Sequence, residues 1–247
     1  MSLRRAAALL LPLFGTLVCL QAEEGTLTPA QEQFRERLTA QSTALEKGNV
    51  AATETVEGWL FLTSELRFLA HGRFWGDAAA RVAHSKKSPD PLPAILDFHR
   101  QLRERGIELL LVPVPPKAAV YPEKLFADVK LPGGEAAPSL RQFYNQLRAS
   151  GVDVLDLSEV FSREREQARG PVFCRTDSHW SGVGCVLAAQ AIAERLRAKL
   201  PAPVVAKDYL AEWKEVPIAG DLAALIPSGA PKPAPEKIAV RTVSEPG

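Results

Sequence analysis

The chain has 247 residues, of which 46% are hydrophobic and 24% are charged, a composition typical of a soluble globular protein. This length predicts one large domain, or one domain with a small appendage. The formal net charge of +1 argues against a nucleic-acid-binding protein, because such proteins concentrate Lys and Arg.

The N-terminus predicts export. Arg4 and Arg5 precede an apolar run that ends at Leu20, and a polar segment follows. A basic start, a hydrophobic stretch and cleavage after Ala22 together describe a signal peptide over residues 1–22. The alternative is an uncleaved signal anchor, which would keep the N-terminus at a membrane, since the apolar run is near the lower length limit for a spanning helix.

Beyond this segment, helical and strand patterns alternate. Thr28, Pro29 and Gln31 form a capping box with proline in the first turn, so a helix is expected in the N-terminal segment 23–56. The predicted elements are helices around residues 29–47, 92–105, 140–150, 158–167 and 182–200, and strands at residues 107–114, 152–157 and 172–175. This alternation predicts an α/β fold with a mostly parallel sheet and helices on both faces.

Asp177 and His179 form the most informative pair in the sequence. On an extended segment, residues two apart point to the same side, so both side chains are expected to project together while Ser178 faces away. A carboxylate beside an imidazole fixes its tautomer and stabilises the imidazolium, which is how proteins orient a general base. A structural histidine is one alternative. A zinc site that adds Cys174 and Cys185 is another, but structural zinc sites usually have a second cysteine pair, so we predict no metal.

Cys174 and Cys185 both lie downstream of the predicted cleavage point. Oxidising compartments favour disulfides, and a bridge between these two thiols would brace the loop that carries Asp177 and His179. The alternative is a pair of buried free thiols. We predict the bridge for the exported protein.

Several short segments, taken together and in order, are characteristic of one family. They are Glu57–Phe61 with Glu65–Leu69 and Phe74–Gly76, Val112–Lys117 with Val120–Glu123, Thr176–Trp180, and Gly220–Leu222. This set resembles the alginate O-acetyltransferase family, whose members are periplasmic SGNH hydrolase-like proteins. The resemblance covers roughly residues 57–225.

The resemblance implies a three-layer α/β/α sandwich, here over residues 57–226. It also implies a Ser-His-Asp triad in permuted order, in which Asp177 and His179 match the family's Asp and His. The implied activity is transfer of acetyl groups to hydroxyls of an exported, alginate-type polysaccharide, without a cofactor. A membrane acetyltransferase partner is the implied source of the acetyl group.

The family's nucleophile lies in a Gly-Asp-Ser block, which this sequence lacks. Here Gly220-Asp221 is followed by Leu222, and neither Ser228 nor Ser244 has the strand-turn-helix setting of an exposed nucleophile. Residues 227–247 are rich in proline and are predicted to be a linker or tail. We therefore expect the nucleophile to lie beyond this chain, and residues 1–247 to be inactive. The alternatives are a non-catalytic polysaccharide-binding protein and a carbohydrate acetylesterase.

Four further residues are predicted to contact the substrate. Lys117 and Tyr121 follow a predicted strand end, where they would line the pocket and bind sugar hydroxyls or carboxylates; a solvated loop with a packed tyrosine is the alternative. Arg175 would pair with acidic sugars, or remain solvated. Trp180 would stack on a sugar ring, or pack against the following helix.

Overall fold

The structure is a computed structural model that describes residues 26–83, 85, 87–131, 135–200 and 207–246, so the predicted signal segment 1–22 lies outside the described residues. The helices are α1 (Pro29–Lys47), α2 (Thr63–His71), α3 (Ala79–Val82), α4 (Pro91–Glu104), α5 (Lys117–Val120), α6 (Pro122–Leu125), α7 (Pro138–Ala149), α8 (Ser158–Arg163), α9 (Gly182–Leu196) and α10 (Asp221–Ala224). The strands are β1 (Ala52–Glu54), β2 (Leu60–Leu62), β3 (Leu110–Leu111), β4 (Asp153–Val154), β5 (Glu166–Gln167), β6 (Gly170–Pro171), β7 (Leu210–Ile218) and β8 (Glu236–Ser244). Within these ranges, no helix combines the length and the hydropathy needed to cross a membrane.

Helix α1 begins as its sequence predicts. The Thr28 hydroxyl accepts a hydrogen bond from the Gln31 amide at 3.3 Å, and the Gln31 side chain accepts one from the Thr28 amide at 2.9 Å. Phe34 and Leu38 are buried in the same hydrophobic cluster as Trp59. The N-terminal helical segment is therefore part of the main domain, and the hairpin of β1 and β2 crosses the predicted boundary at residue 56.

The predicted α/β class is confirmed, but a mostly parallel sheet is not seen in the described residues. Parallel pairing joins β3 to β4 over two residues each, whereas β1–β2, β5–β6 and β7–β8 are antiparallel pairs. The predicted strand 107–114 is reduced to Leu110–Leu111, and beyond it Pro113 has no amide hydrogen to donate to a ladder. The other predicted strands are also shorter than expected.

Residues 227–247 are not only a linker. Nine of these residues, Glu236–Ser244, form β8, which pairs with β7 from Leu210 opposite Ser244 to Ile218 opposite Glu236. The predicted boundary at residue 226 therefore separates two strands that hydrogen-bond to each other. Strand β8 also lies against helix α9, so the C-terminal hairpin is attached to the domain.

Aromatic residues of the N-terminal motifs belong to the core. Trp59 and Phe61 are buried with Tyr121, whose ring centroid lies 4.4 Å from that of Trp59. Trp75 belongs to a second cluster with Phe143 on α7, at a centroid distance of 5.2 Å. These rings are thus unavailable as a platform for a sugar.

Candidate active site

The predicted pair of Asp177 and His179 is in contact. Asp177 Oδ1 lies 2.8 Å from His179 Nδ1 and also accepts the backbone amide of His179 at 2.9 Å. A side-chain oxygen that accepts the amide two residues ahead makes an Asx turn, so the pair meets through a turn and not through strand alternation. The His179 side chain is 77% exposed, whereas that of Asp177 is 20% exposed.

The turn lies at the tip of a narrow loop. The Ser181 amide donates to the Val172 carbonyl at 2.8 Å, and the Cys174 amide donates to the His179 carbonyl at 3.2 Å. These bonds bring the two ends of the loop together. The predicted strand 172–175 is reduced to one antiparallel bridge, Phe173 opposite Trp180.

Ser178 does not face away from the dyad as predicted. Its hydroxyl donates to Asp221 Oδ2 at 2.5 Å and lies 3.3 Å from His179 Nδ1, because the turn rotates the side chain toward the same side. Its amide donates to Asp221 Oδ1 at 2.6 Å. Ser178 is thus held by a carboxylate that the sequence analysis did not place in the site.

Asp221 is the first functional candidate that sequence reasoning missed. Its amide donates to Asp177 Oδ2 at 2.9 Å, and its own carboxylate lies 3.7 Å from His179 Nδ1. Both carboxylate oxygens of Asp177 are therefore occupied, one by His179 and one by Asp221. The Gly220–Leu222 motif was the available signal, but a contact across 44 positions cannot be read from local spacing.

Each residue of the Gly220–Leu222 motif has a separate structural role. Leu222 is buried with Ala52 and Leu60 of the first hairpin, which fixes α10 against β2. A Cβ atom added at Gly220 would lie 2.0 Å from the Thr176 carbonyl oxygen, so only glycine allows this approach. Asp221 then reaches the dyad from the helix start.

We predict that Gly220→Ala destabilises the protein by about 3 kcal/mol, because backbone atoms must move to admit the methyl group. Gly48→Ala is the matched control. A Cβ there would have ordinary contacts at 3.5 Å, so the free energy of unfolding should change by less than about 1 kcal/mol. Urea unfolding of both variants measures the difference. Equal stabilities would contradict the close contact at Gly220.

Lys117 and Tyr121 do not line a sugar pocket, which corrects their predicted role. Only 1% of Lys117 and 0% of Tyr121 is exposed, since both residues lie under the loop. The Tyr121 hydroxyl donates to the Arg165 carbonyl at 2.8 Å and accepts the Val172 amide at 3.0 Å. Neither side chain can touch a polysaccharide without unfolding its surroundings.

Arg175 and Trp180 remain near the surface of the site. The Arg175 side chain is 49% exposed, and its Nε lies 3.7 Å from Glu236 Oε1. Trp180 is half-buried, with its ring centroid 5.9 Å from that of Phe161 on α8, so its packing role is the one that the structure shows. Pairing of Arg175 with an acidic sugar stays a prediction.

Glu236 is the second candidate missed by sequence reasoning. It is 2% exposed, and its carboxylate accepts the amides of Arg175 and Thr176, both at 2.9 Å, and the Thr176 hydroxyl at 3.1 Å. The first residue of β8 therefore binds the backbone directly before Asp177. Its position after a proline-rich stretch gave no signal of this role.

The predicted bridge between Cys174 and Cys185 is not formed. Both thiols are free, because Cys174 is buried with its Sγ 3.8 Å from the Trp180 carbonyl, whereas Cys185 lies exposed in the first turn of α9. Burial raises the pKa of Cys174 to about 12, so this thiol stays protonated at neutral pH. Neither cysteine belongs to the one group of metal-ligand types that the described residues bring together, which is Asp177, His179 and Asp221.

The electrostatics of the dyad favour a charged carboxylate beside a basic imidazole. Burial acts to raise the pKa of Asp177, but hydrogen bonds from the Asp221 and His179 amides and from the His179 ring outweigh it, so this pKa is lowered. The hydrogen bond from Asp177 raises the pKa of His179 against slight burial, and the Asp177 and Asp221 charges add to the rise. The arrangement can hold a proton taken up at Nε2.

We expect His179 to titrate above its ordinary pKa of 6.5. Because the folded-state pKa is raised, the pair's contribution to stability is full below pH 6.5 and is lost as the pH rises through the folded pKa. In the Asp177→Asn variant, NMR titration should give a lower titration midpoint for His179. His71 is an internal reference, since burial lowers its pKa. An unchanged His179 midpoint in Asp177→Asn would show that the carboxylate does not act on the ring.

Residues 53–246 match the family model described as ALGX, SGNH hydrolase-like domain, acetyltransferase AlgX. The probable alginate O-acetylase AlgJ of Pseudomonas aeruginosa is 28% identical over 186 residues, which cover 75% of this chain and 43% of that protein. The probable alginate O-acetylase AlgJ of Pseudomonas putida is 42% identical over 98 residues, which cover 38% of this chain and 23% of that protein. The chain thus spans less than half the length of these curated relatives.

Solved structures show the same fold. The O-acetyltransferase domain of Pseudomonas putida AlgJ matches with a TM-score of 0.60 and 29% identity, over 79% of this chain and 66% of that one. Pseudomonas aeruginosa AlgX matches with a TM-score of 0.57 over 90% of this chain and 50% of that one, and its 18% identity supports the fold alone. The resemblance predicted from the sequence motifs is confirmed, and the chain belongs to the AlgX family of SGNH hydrolase-like acetyltransferase domains.

Proposed function

We propose that this protein takes part in O-acetylation of an exported, alginate-type polysaccharide, with Asp177 and His179 as the acid–base pair of a Ser-His-Asp mechanism. The observation that carries the proposal is the 2.8 Å contact between the carboxylate of Asp177, which is mostly buried, and the imidazole of His179, which is exposed. Because Nδ1 is held by Asp177, Nε2 is the nitrogen left to exchange a proton with a reacting hydroxyl. Membership of an acetyltransferase family supports the choice of reaction.

The proposed chemistry proceeds in two halves. His179 Nε2 takes the proton of a serine hydroxyl while the serine oxygen attacks the acetyl carbonyl of the donor. The donor's leaving group departs with the proton from the imidazolium, which leaves an acetyl-serine. A sugar hydroxyl then gives its proton to Nε2 and attacks this ester, so that the acetylated sugar leaves and serine regains its proton. Attack by water instead would give hydrolysis.

The nucleophile is not identified among the described residues. No hydroxyl there hydrogen-bonds to His179 Nε2; Ser178 donates to Asp221, and Ser181 caps α9 by accepting the Val183 amide at 3.1 Å. This observation favours a second candidate function, a polysaccharide-binding protein without turnover. An acetylesterase would use the same dyad with water as the acceptor.

Location and partners follow from the same proposal. Residues 1–22 have the sequence features of an export signal, which agrees with action in the periplasm on a polysaccharide that is being exported. A membrane acetyltransferase would supply the acetyl group, since the polymer is modified outside the cytoplasm. Arg175, exposed beside the dyad, is a candidate contact for a uronate carboxylate.

An acetyl-transfer assay tests the proposed function. The native gene product is incubated with p-nitrophenyl acetate and deacetylated alginate oligosaccharides, and mass spectrometry follows the gain of one acetyl group per oligosaccharide. Transfer supports the proposal. Release of acetate alone indicates an esterase, and binding without either reaction indicates the binding protein.

A further inference from the structure

The loop that leads into the dyad is held between two buried charges. Lys117 Nζ donates to the carbonyls of Leu60, Arg175 and Asp177 at 2.8, 2.9 and 3.0 Å. Glu236 in turn accepts the amides of Arg175 and Thr176. The cation thus binds backbone oxygens and the anion binds backbone amides of the same short segment.

The placement of Lys117 is costly for a purely structural residue. Removing an ammonium group from water is strongly unfavourable unless its donors are satisfied. Here its three donors meet three carbonyls, and within the described residues no carboxylate lies within ion-pair distance of Nζ. The charge is therefore satisfied by the Leu60 carbonyl of β2 and by two carbonyls of the loop, one of which belongs to Asp177.

We propose that Lys117 is a positioning residue for the dyad, which it serves by holding the Asp177 carbonyl so that the carboxylate reaches His179. Its relevance to catalysis rests on the proposed function of Asp177 and His179. The chain of contact runs from Nζ to the Asp177 backbone, and from the Asp177 side chain to Nδ1 of His179. Glu236 accepts the amides of Arg175 and Thr176 and so fixes the residues directly before Asp177.

The ionisation of Lys117 offers a direct readout. Burial lowers its pKa to about 8, and electrostatic interactions with Glu65, Glu236, Cys174 and Asp177, the titratable groups that act on it, work in the opposite direction. Loss of one proton leaves two N–H donors for three carbonyls, so one contact must break. The geometry of the loop should therefore change as Lys117 titrates.

The first experiment uses the unmodified protein. Carbonyl carbon shifts of Leu60, Arg175 and Asp177 are followed by NMR from pH 6.5 to 10, together with the Cε shift of Lys117. We expect all four to share a midpoint near pH 8. Carbonyl shifts that stay flat while the lysine titrates would overturn the proposal, and no variant that must fold is needed.

The second experiment compares Lys117→Met with Lys124→Met. Lys124 on neighbouring α6 is the matched control, because its ammonium group donates to the Glu57 carboxylate at 2.5 Å, outside the loop. We expect the His179 pKa to fall toward 6.5 in Lys117→Met and to stay raised in the control. Loss of a nearby positive charge alone would raise the pKa of a histidine, so a fall reports lost positioning.

A folded Lys117→Met protein whose His179 pKa is unchanged or raised would reject the positioning role. Neither measurement uses acetyl transfer. Failure of the transfer assay would therefore count against the proposed function and leave these results standing. Failure of the NMR experiments would reject the positioning role of Lys117 and leave the proposed function standing.

Discussion

Replacement of His179 by alanine should reduce acetyl transfer by the native gene product by about 10³-fold or more, because the nucleophile loses the base that takes its proton. Asp177 cannot substitute, since its oxygens are occupied by the His179 amide and the Asp221 amide. The loss should fall on kcat, as the imidazole acts on the reacting hydroxyl. Steady-state kinetics with p-nitrophenyl acetate and deacetylated oligosaccharides measure the effect.

His71→Ala is the matched control for this experiment. His71 ends α2, where Arg67 and Glu46 are the charged residues that act on it, and it should be replaceable with little change in turnover. Circular dichroism verifies that both variants are folded. Turnover of His179→Ala close to that of the control would remove His179 from the mechanism.

The parts of the structure that depend on neighbouring residues could be predicted from the sequence. The capping box of Thr28 and Gln31 forms because both partners lie within one helical turn. Asp177 and His179 are two residues apart, so their contact was expected, although the turn that makes it also brings Ser178 into the site. Local spacing fixed the pair and left the direction of Ser178 undetermined.

The groups that hold the dyad in place could not be predicted in this way. Glu236 and Asp221 reach the loop across 61 and 43 positions, and each contact depends on the antiparallel hairpin or on the fit of Gly220 against Thr176. Lys117 was expected to line the substrate pocket after a strand end, with a solvated loop as the alternative. Its burial depends on three carbonyls from two separate segments, a pattern that exists only in the folded chain.

Glu236→Ala should destabilise the protein by about 3 kcal/mol or more, because the amides of Arg175 and Thr176 and the Thr176 hydroxyl lose their common acceptor in a buried site. The loop would also lose its tie to β8, so hydrogen exchange at those two amides should speed up. Urea unfolding and amide exchange measure the two effects.

Glu215→Ala is the control, since Glu215 lies on the partner strand β7 with an exposed side chain and should unfold like the wild type. If Glu236→Ala matched this control in both stability and exchange, the carboxylate would not be holding the loop. If instead stability fell while the two amides stayed protected, Glu236 would stabilise the hairpin alone. The predicted result is a joint loss, because the same three hydrogen bonds attach the C-terminal hairpin to the backbone that presents Asp177.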